Sequence, residues 1–155
     1  MSSSTVSPDG ARGIGAKRSL VHRFMSFGFN RPNIILPLWA GLLLFTIISE
    51  LLPGDSAPMM ALSLTHVNDK VLHFSAYAVL VFIPVFGLRL STALGCIVTT
   101  ELVGIGLEYA QTFVRQRSYD PYDMAANTAG VLAGITLAIA GRARLIRAER
   151  TLSDE

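Results

Sequence analysis

With 155 residues, 51% of them hydrophobic and 15% charged, the chain has the length of one domain but too little charge for a soluble one, which carries roughly a quarter charged residues. The apolar surplus excludes intrinsic disorder and makes a bilayer the natural solvent. The formal charge of +2 predicts no nucleic-acid partner, because the basic residues stand at the ends of apolar runs, and the single cysteine, Cys96, excludes an intrachain disulfide and a cysteine-rich metal site.

Residues 1–32 read as a basic cytoplasmic tail. Its Ser-, Gly- and Pro-rich start, through Lys17, is expected to be flexible, and 20–29, with Phe24, Phe27 and Phe29 beside His22 and Arg23, reads as a basic anchor or a short interfacial segment. Four apolar stretches follow, 33–52, 70–87, 91–112 and 121–141, each near the roughly 20 residues needed to cross a bilayer. The first is longer than the apolar core of a signal peptide and no clear cleavage site follows it, so it reads as an uncleaved anchor. None of the four alternates polar and apolar residues, so all are expected to be helices rather than barrel strands. The fold class predicted is an all-α membrane domain over 33–141, followed by a basic cytoplasmic tail over 142–155.

The boundaries are well punctuated. Asn68 or Asp69 can cap the second span and Ser91 the third, and Asp120-Pro121-Tyr122-Asp123 places a capping carboxylate before a proline at the first helical position. Of thirteen Lys and Arg residues, ten lie before the first span, in the turn between the second and third, or after the fourth. Lys70, Arg115 and Arg117 lie on the other side. By the positive-inside rule both termini are cytoplasmic and the two longer connections face outward.

A charged side chain inside a span costs a few kcal/mol even on lenient scales, so each such residue must face protein or water. In the second span Asp69, Lys70, His73 and Tyr77 share one helical face. Glu101, Glu108 and Gln111 align with Gly104 in the third, and Asp123, Asn127, Gly130 and Gly134 form a stripe in the fourth. His73, Glu108 and Asn127 each lie about one turn below the outer ends of their helices, so a bundle that buries the three stripes gathers them near the external interface, with Arg117 and Asp120 on the loop above. Glu101 lies about 10 Å deeper. Gly130 and Gly134 suit close helix packing.

The segments Asn68-Asp69-Lys70-Val71-Leu72-His73-Phe74-Ser75-Ala76-Tyr77, Glu108-Tyr109-Ala110-Gln111, Arg117-Ser118-Tyr119-Asp120-Pro121-Tyr122-Asp123 and Ala126-Asn127-Thr128-Ala129-Gly130 resemble the VanZ-like family of bacterial membrane proteins, in order and across roughly 51–141. The resemblance implies an integral membrane protein of the bacterial envelope, in the inner membrane, with a founding member linked to low-level teicoplanin resistance. The family's polar motif falls on Asp69, Lys70, His73, Tyr77, Glu108, Gln111, Arg117, Asp120, Asp123 and Asn127.

These residues support an enzyme acting at the interface on a lipid-linked or anionic envelope precursor. Asp69, His73 and Glu108 would do the chemistry, and Lys70, Tyr77, Gln111, Arg117, Asp120, Asp123 and Asn127 would bind the substrate. The same pocket would also serve a non-catalytic binding or assembly factor, and Glu101 below Glu108 motivates a proton-coupled carrier. Plainer roles stand beside these: Asp69 and Asp120 as helix caps, Glu108 and Arg117 as a structural ion pair, and Cys96 as apolar filler. Asp69, His73, Glu108, Asp120 and Asp123 include possible metal ligands, but there is no compact metal signature and Lys70 and Arg117 are competing cations, so neither metal nor cofactor is expected.

Overall fold

The computed structural model describes residues 31–153, so the N-terminal tail and the aromatic segment 20–29 lie outside the described residues. Among the described residues five helices follow one another: α1 (Pro32–Glu50), α2 (Ala57–Ser63), α3 (Asp69–Gly87), α4 (Leu90–Gln111) and α5 (Pro121–Ser153). All except α2 are long and apolar enough to cross a membrane, and there is no strand among the described residues. The described residues form an all-α protein with four candidate spans, as the composition predicts, and one short helix that composition did not reveal.

Local chemistry sets the starts. Pro32 opens α1, where a missing N–H removes no helical bond, and the Asn68 side chain caps α3 by accepting from Lys70 N at 2.8 Å. Asn68 therefore takes the capping role, which leaves the Asp69 carboxylate for other contacts. The expected cap at Ser91 is not used: α4 begins at Leu90 after Arg89, with no side-chain cap. At the end of the chain the helix runs past Gly141, so the basic segment expected as a separate tail continues α5 through Ser153.

One interface dominates the bundle. Lys70 meets Asp123, His73 meets Asn127, and at the far end Arg142 meets the Leu88 carbonyl, so the sequence offset between contacting residues stays at 53 or 54. A constant offset means that α3 and α5 run parallel, with α4 as the return stroke. Small residues allow the close approach: a Cβ at Gly130 would collide with the Phe74 carbonyl oxygen, and one at Gly134 with that of Ala78. Around this seam lies a core that includes Tyr77, Val81, Val85, Leu88, Cys96, Val131 and Ala138. Cys96 is buried there, as filler should be.

Helix α1 is held differently. It packs on α3 and α4 but buries only Leu43, Thr46 and Glu50. Leu38, Leu44, Phe45 and Ile48 point outward, as on a lipid-facing surface.

At the end away from the site, Arg142 donates to the carbonyls of Val85 at 2.8 Å and Leu88 at 3.3 Å, satisfying oxygens that the end of α3 leaves open. Because Arg142 stands level with that end, residues 143–153 carry α5 about 16 Å farther.

Candidate functional site

The buried polar residues Glu50, His73, Glu108, Gln111, Asp123 and Asn127 belong to four different helices, at the ends joined by the two longer connections. Register along the α3–α5 seam explains the meeting. With Gly130 against Phe74, one turn back on α5 sets Asn127 beside His73, and another sets Asp123 beside Lys70.

The Lys70 ammonium bridges Asp120 and Asp123, linking the first turns of α3 and α5. Asp120 does two tasks at once: one carboxylate oxygen accepts from Tyr122 N at 2.8 Å, capping α5, while the other holds Lys70. The Lys70 ammonium, with the Tyr122 N–H, holds the Asp120 carboxyl below the ordinary aspartate range. Asp120 is thus a helix cap, and it also pairs with Lys70.

His73 is buried, with Nδ1 at 3.1 Å from Asn127 Oδ1 and 3.7 Å from Glu50 Oε1. On its other edge Nε2 faces Asp69 Oδ2 at 3.8 Å and Asp123 Oδ2 at 3.9 Å, both beyond hydrogen-bond reach. The imidazole is therefore oriented by Asn127, not by the Asp69 contact that i, i+4 spacing suggests.

Glu108 is completely buried and its Oε2 accepts from Asp120 N at 3.2 Å, while its Oε1 has no hydrogen-bond partner. The expected ion pair with Arg117 does not form. Arg117 instead donates from Nε to the Leu52 carbonyl at 3.4 Å and reaches Met59 Sδ at 3.7 Å. Gln111 donates to the Glu50 carbonyl at 3.1 Å, tying the end of α4 to the end of α1. Tyr77 lies against Gly104, where a Cβ would stand 2.8 Å from its hydroxyl oxygen. The connections are stitched as well: Gly54 N donates to the Arg115 carbonyl at 3.1 Å, and the Arg115 guanidinium pairs with Asp55. A side chain at Gly54 would strike the Gln116 carbonyl, so this crossing needs glycine.

A cavity of about 320 Å³ opens beside the cluster, between α1, α2 and α3. Phe45, Met59, Leu62, Leu72 and Ala76 form apolar walls, and Glu50, Asp69, His73 and Arg117 supply charge or acid–base groups. The Thr46 and Ser49 hydroxyls also line it, but each donates to a carbonyl of its own helix, at 3.0 Å and 2.8 Å. Of the ten residues expected at a site, Asp69, His73 and Arg117 line this cavity. Lys70, Asp120, Asp123, Asn127 and Glu108 stand behind His73 and hold the helix ends together, while Tyr77 and Gln111 pack between helices. Glu101 is half-buried about two turns below Glu108 and makes no hydrogen bond or ion pair among the described residues.

Glu50 is the residue that sequence reasoning missed. It is a buried acid at the end of an apolar span, and the rule that marks intramembrane carboxylates applies to it as it does to Glu108.

Comparison with known proteins now becomes informative. A sequence model of the VanZ/LLP1 family matches residues 20–145. The chain belongs to the VanZ/LLP1 family. The match bears out the resemblance carried by the polar motifs and takes in the first three candidate spans and most of the fourth. An uncharacterized protein of Schizosaccharomyces pombe is also similar, 38% identical over 77 residues that cover 47% of this chain and 48% of the yeast protein. The chain thus spans about half the length of that curated relative. No solved structure matches.

Proposed function

We propose that the cavity binds a membrane amphiphile with an anionic head, which in a bacterial host is a lipid-linked envelope precursor or an anionic lipid. The observation that carries this reading is the pairing of apolar walls with Arg117 in one cavity beside a helix whose outer face suits lipid. The tail lies along Phe45, Leu62 and Leu72, and the head meets the guanidinium, the side chain best suited to gripping a phosphate or carboxylate with two hydrogen bonds. At about 320 Å³ the cavity lies near the lower end of small-molecule sites, enough for a head and the start of a chain but too small for a glycopeptide antibiotic. Any tolerance to teicoplanin in this reading therefore acts through a bound lipid.

Charge placement supports an outward-facing site in the inner membrane, with the termini inside. Arg89, Arg142, Arg144, Arg147 and Arg150 gather at the opposite end of the bundle, against Lys70, Arg115 and Arg117 at this one. His73, held by Asn127, is positioned as a general base or acid toward the head, and Glu50 is the adjacent carboxyl. Because Thr46 and Ser49 are engaged by their own helix, chemistry here uses an activated water rather than a protein hydroxyl. The same engagement equally favours capture without reaction.

Lipid extraction and mass spectrometry of the purified full chain test both readings. An anionic amphiphile should co-purify and fall about tenfold with Arg117→Ala. Equal recovery from wild type and variant refutes the site. If the protein is an enzyme, His73→Ala stops conversion of the bound amphiphile and His73→Gln does not restore it. If it is a binding factor, His73→Gln keeps much of its function.

A further inference from the structure

We propose that Asp69, His73 and Asp123 form a site for one divalent cation of the manganese–zinc class. Each offers one ligand atom, these atoms lie within 4.8 Å of one another, and His73 Nε2 stands 3.8 Å from Asp69 Oδ2 and 3.9 Å from Asp123 Oδ2. His73 is the part that lifts this above a group of acids. It is only 5% exposed, its Nδ1 side faces two oxygens, those of Asn127 and Glu50, and its Nε2 has no hydrogen-bond partner. In the tautomer protonated at Nδ1, that N–H donates to Asn127 Oδ1 and the Nε2 lone pair faces two carboxylate oxygens. An outer partner that fixes the tautomer in this way is the usual support of a metal-bound histidine.

Distance separates an ion from a proton. An N–H of a charged imidazole draws a carboxylate to about 2.8 Å. Ligand atoms that share an ion through bonds of about 2.1 Å stand between about 3.0 Å and about 4.2 Å apart, depending on the angle at the metal. The two His73–carboxylate separations, 3.8 Å and 3.9 Å, fall in the second range. The Asp69 side chain, 47% exposed, has room to close the remaining gap.

Charge agrees. Asp69, Asp120 and Asp123 with Lys70 leave two formal negative charges, which a divalent ion cancels. Lys70 does not occupy the position, because it takes Asp123 Oδ1 and leaves Oδ2 for the ion. Arg117, the other cation expected to compete, is turned to Leu52 and Met59. The imidazole directs the choice toward manganese or zinc over magnesium or calcium. Since Asp69 and His73 also line the cavity, the ion presents its remaining coordination positions there. The inference stands whether or not the cavity holds an amphiphile; with the ion bound, His73 Nε2 is a ligand, and the ion takes the place of the imidazole as the group facing the head.

The test uses the full chain, purified through a tag without histidine, placed in phosphatidylcholine nanodiscs, stripped with EDTA and titrated with manganese chloride. Wild type should bind one equivalent of Mn²⁺, and pulsed electron paramagnetic resonance should detect an imidazole nitrogen on the metal. His73→Ala should abolish the nitrogen signal, and Asn127→Ala should weaken binding by about 10- to 100-fold while keeping it. Stoichiometric Mn²⁺ without a nitrogen signal in wild type overturns the proposal, as does a signal that survives His73→Ala. Failure of wild type to bind either Mn²⁺ or Zn²⁺ overturns it as well. The wild-type spectrum decides even if the variants do not fold.

Discussion

Helices α3 and α1 flank the same cavity but are anchored in opposite ways. Helix α3 is clasped along its length by α5, with glycine against backbone, an ammonium bridge at one end and an arginine on its last carbonyls at the other. Helix α1 buries three side chains and is tied at its end by Gln111 on the Glu50 carbonyl and, two residues beyond, by Arg117 on the Leu52 carbonyl. The contrast divides the cavity: Asp69, Leu72, His73 and Ala76 sit on the clasped pair, Phe45 and Glu50 on the lightly held helix, and Met59 and Leu62 on the short α2 between them.

The largest effect should come from the clasp. Gly130→Val or Gly134→Val drives a branched side chain into the α3 backbone and should destabilise the bundle by at least about 1–3 kcal/mol, measured by denaturant unfolding in detergent. Gly41→Ala on α1, where a Cβ meets nothing within 4 Å, should stay within about 0.5 kcal/mol of wild type. Equal effects at the two sites would erase the comparison.

A smaller effect should follow from the ammonium bridge. Lys70→Gln leaves the Asp120 and Asp123 carboxylates without their shared cation. It should cost about 1 kcal/mol, since solvent reaches the ammonium, and thermal unfolding would read it. Acid should act in the same direction. Asp120 titrates lower in the folded protein than in the unfolded chain, so its contribution is complete above the ordinary aspartate value of 3.8 and is lost as pH falls below that toward the folded value. Wild type should therefore lose stability over that interval more steeply than Asp120→Asn.

The smallest effect on stability belongs to the outer wall. Phe45 is 68% exposed, so Phe45→Ala should change unfolding by no more than about 0.5 kcal/mol. It should nonetheless reduce amphiphile recovery, a separation that Gly130→Val, acting through the fold, cannot produce.

Much of this arrangement was legible in sequence because a bilayer penalises polar atoms so heavily that their positions betray the interior. The convergence of the stripes on α3 and α5, with His73 and Asn127 at one depth, was readable, and so was the four-span architecture; the individual pairs, His73 with Asn127 and Lys70 with Asp123, were not. What escaped was whatever depends on rotamer and loop path. Arg117 and Glu108 stand close in the motif order, yet the turn before α5 offers Glu108 a backbone N–H and carries the guanidinium toward α1. Glu50 escaped because a lone carboxylate at a helix end looks solvated until α4 closes over it. Helix α2 escaped because seven residues between two turns carry too little periodicity to register.

The length of α5 has a mechanical corollary. The helix that bears Asp123 and Asn127 continues unbroken past the end of α3, so its last turns work as a pointer fixed to the polar cluster. If that helix pivots about its glycine contacts, a tilt of a few degrees at the cluster swings the arginine-bearing tip by a few ångströms, and a spin label near Arg150 would register it from the opposite face of the membrane.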